Sequence, residues 1–110
     1  MLDNTFLACL LDSLKNPILF ADTGHVVRYV NRAGRNFYTA ADELIGKSLL
    51  DCHNPESREV MRGVLERLAA GLDEELIVDS EKHRIYMRAV RDVHDRLIGY
   101  YERFDPPRGS

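Results

Sequence analysis

Cys52 and His53 stand side by side just ahead of Asn54-Pro55, and no other cysteine, serine or threonine in this 110-residue chain adjoins a histidine. Histidine changes charge near neutral pH and is the commonest metal ligand among side chains. His53 therefore has two functional readings: a ligand to a metal or haem iron, or a polar anchor for a small molecule. A third reading is structural, with the ring hydrogen-bonding the turn at Asn54-Pro55 and holding the start of the next helix. The thiol of Cys52 does not turn the pair into a thiolate–imidazole couple, because adjacent residues point in different directions. Arg88 carries a planar fork suited to a carboxylate or phosphate. Tyr86 shares its face in an alternating run, while Ile85 and Met87 share the other. Which of these faces is inward is open at this point. Met61 and Met87 are flexible and polarisable, fit for the core or for a ligand-lined wall.

The remaining chemistry is sparse. His25, His83 and His94 fall in turn-like segments and are expected to be exposed, and no Cys/His cluster has zinc-site spacing. The glycines never assemble into a phosphate-binding G-x-G-x-x-G or Walker pattern, and there is no G-x-S-x-G elbow. Catalysis is not expected. The net charge is −3, with both signs interspersed from Glu74 to Arg96, so nucleic-acid binding is not expected either. Apolar stretches such as Phe6 to Leu11 are far shorter than the ~20 residues that span a bilayer. Asp3 stands where a signal peptide would carry positive charge. Two cysteines, Cys9 and Cys52, make no disulfide framework, and a reducing, cytoplasmic setting is the expectation.

The elements that must position these residues follow from periodicity. Phe6, Leu7, Leu10, Leu11 and Leu14 lie at helical spacing within residues 3–14, and Asn16-Pro17 ends that helix. Ile18 to Ala21 and Val26 to Val30 flank Asp22-Thr23-Gly24 as a hairpin. Asn31 is suited to cap a short helix through Phe37. Thr39 to Asp42 has capping-box spacing for another short helix that Gly46 can close. Asn54-Pro55 opens a longer helix striped by Val60, Met61, Val64, Leu65 and Leu68, with Gly71 as its stop. The period then becomes two: Leu76 to Val78, Ile85 to Val90 and Leu97 to Phe104 read as strands. Strands, then helices, then strands exclude an alternating parallel sheet. An α+β fold with an antiparallel sheet and helices on one face is expected.

Several motifs resemble those of PAS domains. Asn16 to Asp22 is similar to the first PAS strand and its acidic turn; Val27, Tyr29 and Asn31-Arg32-Ala33 are similar to the second strand and the following cap. Phe37 with Glu43-Leu44-Ile45-Gly46-Lys47, and Ala89 to Asp92 with Leu97 to Tyr100, complete a resemblance over roughly residues 7–105. Cys52-His53-Asn54-Pro55-Glu56-Ser57 further resembles a segment of PAS domains in some bacterial and archaeal regulators, including hemerythrin-linked ones. The resemblance implies a five-stranded antiparallel sheet and a cavity beneath its short helices. It implies a sensory module that binds a small ligand or cofactor and signals through dimer packing to an effector domain or partner protein. A ligand-free dimerisation module is the alternative, and a haem sensor is another. The candidate cavity set is Phe37, His53, Met61, Tyr86, Arg88 and Tyr100. The cofactor is unknown, with haem or a small metabolite as candidates and none required. Against haem, the axial histidine of such sensors lies within the long helix, and His53 falls about two turns earlier, at ~1.5 Å of rise per residue. The division expected is a flanking helix over 1–16, a PAS domain over 17–105 and a linker or appended tail over 106–110. Phe6, Leu7, Leu10 and Leu14 form a candidate homodimer surface.

Overall fold

The computed structural model describes residues 4–38 and 40–109. The chain runs α1 (Asn4–Asp12), β1 (Ile18–Asp22), β2 (Val27–Val30), α2 (Arg32–Phe37), α3 (Ala41–Leu44), a 3₁₀ turn (Leu49–Cys52), α4 (Pro55–Ala69), β3 (Glu74–Asp79), β4 (Arg84–Arg91) and β5 (Leu97–Asp105). The strands form one antiparallel sheet in the order β2-β1-β5-β4-β3, so the last strand of the chain sits at its centre.

Local chemistry explains most boundaries. Asn54 precedes Pro55 in extended conformation, and its side chain accepts from the Ser57 N–H, opening α4 as its sequence implies. Gly71, at φ 120°, ends it where an L side chain would be strained. Thr39, expected as the cap of the next short helix, lies outside the described residues. The residue before α3 is Ala40, in left-handed conformation with no side-chain cap.

Asn31 does more than cap. Its side-chain oxygen accepts from Gly34 N–H in α2 and from Ile18 N–H in β1. Its amide donates to the carbonyls of Leu11 in α1 and Asn16. The side chain is fully buried, and all its donors and acceptors are used.

The core lies on one face of the sheet. Leu19 and Ala21 of β1, Val27 and Val30 of β2, Met87 of β4 and Tyr100 of β5 meet Met61, Val64 and Leu68 of α4. Phe20, Tyr29, Tyr86, Arg88, Tyr101 and Arg103 alternate onto the other face. Helix α1 is tied to β2 on that second side: the Tyr29 hydroxyl donates to Asp12 at 2.6 Å. Its apolar residues Phe6, Leu7, Leu10 and Leu11, and Leu14 just beyond its end, remain substantially exposed.

Candidate functional site

A cavity of about 580 Å³ opens between the sheet and the helices. Helix α4 supplies Glu56, Ser57, Val60 and Met61, and the 3₁₀ turn with the residue after it supplies Leu49, Cys52 and His53. Tyr38, the extended residue after α2, and Leu44 of α3 add to the wall, with Ile77, Val78, Ile85, Glu102 and Phe104 from the three strands β3–β5. A bulge between Leu76 and Val78 breaks the register of β3, so that Ile77 and Val78 both reach the wall. The volume falls within the ~300–1,000 Å³ usual for small-molecule sites, and the wall is mostly apolar with a few polar groups, as such sites are.

Glu102 is the singular polar group. It pairs across the sheet with Leu19 on one side and Met87 on the other, both fully buried. It is itself only 6 % exposed; no hydrogen bond from a described residue reaches its carboxylate, whose oxygens keep a little accessible surface where the residue lines the cavity. Burial alone pushes its pKa up to about 7, because no neighbouring cation offsets the desolvation of the charged form. Tyr38 stands in the same wall, and its hydroxyl is held protonated by burial first and by the nearby Glu102 charge second.

His53 has a local partner and a free side. Its Nδ1 lies 2.6 Å from the Leu49 carbonyl, which can only accept, so Nδ1 carries the proton and Nε2 is the open acceptor. Arg58 reinforces the turn by donating to the carbonyls of Leu50 and His53. The ring is thus bonded to the preceding 3₁₀ turn and not to the Asn54-Pro55 turn weighed from the sequence, and it lines the cavity.

A family model described as PAS fold matches residues 11–105. The chain belongs to the PAS family. Its five-stranded antiparallel sheet and helix order are those of the solved PAS domains it superposes on. The C-terminal domain of a Streptococcus mutans protein is 19 % identical at a TM-score of 0.79, over 96 % of this chain and 85 % of that one. The PAS domain of BvgS from Bordetella pertussis is 20 % identical at 0.68, over 93 % and 84 %. The Aer2 receptor of Vibrio cholerae, described as a dual PAS-heme oxygen sensor, is 23 % identical at 0.59, over 83 % and 93 %. No curated protein matches the sequence. PAS domains are sensory rather than catalytic modules.

Within this PAS domain the six expected cavity residues separate. His53 and Met61 line the cavity. Phe37 does not; it is half exposed and packs against Phe104, ring centroids 4.8 Å apart, supporting the wall from outside. Tyr100 is fully buried in the core, where its hydroxyl meets His25 rather than the cavity. Tyr86 and Arg88 correct the expectation outright: they pair with Arg103 and Tyr101 on the opposite face of the sheet. There Arg103 lies over the Tyr86 ring, and Arg88 reaches Glu74 at 3.8 Å. The inward face of β4 is the Ile85–Met87 face.

His25 is a second correction. Expected in an exposed turn, it is 5 % exposed, because its φ of 63° folds the turn back toward Tyr100. His83 is half buried against Phe104 and Phe37, and His94 is exposed as expected. Glu102 was missed, although Tyr100, Glu102 and Phe104 share one phase of β5. A charge in phase with two aromatics on a central strand was the available signal.

Proposed function

We propose that this PAS domain senses a small molecule in the cavity between α4 and strands β3–β5, and passes the change to an effector domain or partner protein outside this chain. The observation that carries the reading is the cavity itself: about 580 Å³, walled mainly by apolar side chains, with Glu102, Tyr38 and His53 as its inward polar groups. Occupancy would press on α4 and on the central strand β5 together, since both contribute wall. The setting we infer is cytoplasmic. Among the described residues no helix is long and apolar enough to cross a membrane.

Haem is the cofactor reading to weigh. In its favour, His53 holds its Nδ1 proton on a backbone carbonyl and leaves Nε2 open, the arrangement that prepares an imidazole for a metal. Against it, the wall carries two carboxylates, Glu56 and Glu102, and no lysine or arginine to meet propionates. The donor set fits an uncharged or cationic molecule better than a dianionic porphyrin. An absorption spectrum of the purified protein with and without haemin, beside native mass spectrometry, separates the cases. A Soret band lost in His53→Ala would establish the haem reading; a small added mass without one supports the metabolite reading.

A homodimer through α1 is the second reading. It is favoured by the exposure of Phe6, Leu7 and Leu10 on a helix already tied to Tyr29 and Asn31, and of Leu14 just after that helix. In this reading dimer packing is the output, whether or not a ligand is present.

A further inference from the structure

We propose that the cavity selects a small apolar molecule bearing a protonated amine, with Glu102 as its counter-ion; the inference rests on the ligand-sensing reading above and names its chemical class. Three observations carry it. Glu102 is a carboxylate seated between Leu19 and Met87 in the centre of the sheet, in the cavity wall, with no hydrogen-bond donor among the described residues and its oxygens accessible only slightly. A buried acid in that position costs stability unless it is paired, whereas an apolar residue at the same place would simply join the core. The carboxylate is therefore kept at a cost that an incoming donor would offset.

The second observation is the sign of the wall. Glu56 at the rim repeats the negative charge, and no lysine or arginine lines the cavity. Anionic ligands meet two repulsive groups and no attractive one, so the wall discriminates by what it refuses as well as by what it holds. The third is the apolar and aromatic lining around the acid, with Phe104 and Tyr38 alongside Leu44, Val60, Met61 and Ile85. An ammonium desolvated there meets a carboxylate in a low-dielectric setting and ring faces that attract cations. The Tyr38 hydroxyl and the open Nε2 of His53 are left to orient any further polar group.

The test uses the whole chain and three probes of one shape: benzylamine, benzyl alcohol and benzoate. Binding is followed by protein NMR shifts of cavity residues and by thermal stabilisation at pH 8. The expected result is that benzylamine binds at least tenfold more tightly than benzyl alcohol, that benzoate does not bind, and that Glu102→Gln erases the amine preference. Glu59→Gln, which neutralises an exposed carboxylate of α4 outside the cavity wall, should leave that preference in place and so separates the cavity acid from a general loss of negative charge. If benzyl alcohol matches benzylamine, or Glu102→Gln binds the amine as well as the parent does, the amine class is wrong while the cavity reading stands. If none of the three shifts any cavity resonance, both fall.

Discussion

The Nδ1 of His25 lies 2.8 Å from the phenolic oxygen of Tyr100, joining the β1–β2 turn to the central strand through two buried side chains. Phenol and imidazole can each donate in this pair, and it is the one side-chain hydrogen bond described for either residue. Tyr100→Phe keeps the ring and deletes the hydroxyl. It should cost about 1–2 kcal/mol, read as a lower denaturation midpoint with an unchanged slope. No loss of midpoint would show that the bond contributes nothing net.

The same imidazole makes the fold acid-sensitive. Burial lowers its pKa below the ordinary 6.5, the Arg62 charge lowers it further, and Asp22 opposes both. Between the folded and unfolded values the unfolded chain binds the additional proton. The His25 contribution is therefore complete above about pH 6.5 and is lost as the pH falls below it. Melting temperature against pH should decline on that side, and the decline should shrink in His25→Asn, whose side chain does not titrate and which tolerates positive φ.

Glu102 has the opposite sign. Its pKa is raised from 4.5 to about 7, so the folded chain holds a proton that the unfolded chain releases between those values. Stability from this group is full below pH 4.5 and is lost as the pH climbs through 7. Glu102→Gln should therefore stabilise the protein at pH 8, by up to about 3 kcal/mol, and hardly at all at pH 4.5. The other titratable groups in the wall, Tyr38, Cys52, His53 and Glu56, are unchanged in that comparison. Equal effects at both pH values would mean that the carboxylate is solvated.

Gly99 lies on the outer face of β5 against β1. A β-carbon there would collide with the Ala21 carbonyl oxygen and sit 2.7 Å from the Phe20 ring. Gly99→Ala should cost about 2–3 kcal/mol, since the obstacle is backbone and cannot rotate away. Thermal melts give the answer directly, and a neutral substitution would mean that β1 and β5 lie further apart than described.

Leu10→Asp tests the α1 surface. Leu10 is about half exposed, so the substitution leaves the core alone. Sedimentation should find a dimer for the parent chain and a folded monomer for the variant. A monomeric parent would remove the dimer reading.

How much of this was legible beforehand depends on what each feature rests on. Helix α4 was readable because its cap, its proline and its apolar stripe are all local, and the alternation of β4 was equally plain. Which face of β4 looks inward was not, because alternation supplies two faces and only the pairing with β5 decides between them. Ile85 and Met87 face inward because they oppose Phe104 and Glu102. The burial of His25 was hidden for a related reason: turn residues are ordinarily solvated, and the partner that draws this one in lies 75 residues away. Glu102 was hidden by its type, since a charge is read as surface even where its phase on the strand says otherwise.

Asn31 joins three elements through one side chain, and that sets a rule for movement at the N-terminal end of the domain. When α1 swings away, the Leu11 carbonyl goes with it, and an amide at the centre of the network loses its acceptor in a place where replacement is costly. Any turn of that amide to recover a partner would drag its oxygen off the first strand and off the neighbouring helix at once. Displacement of the outer helix and loosening of the start of the first strand are thus one event rather than two. Amide hydrogen exchange at Ile18 and Gly34 should report it as a shared opening rate.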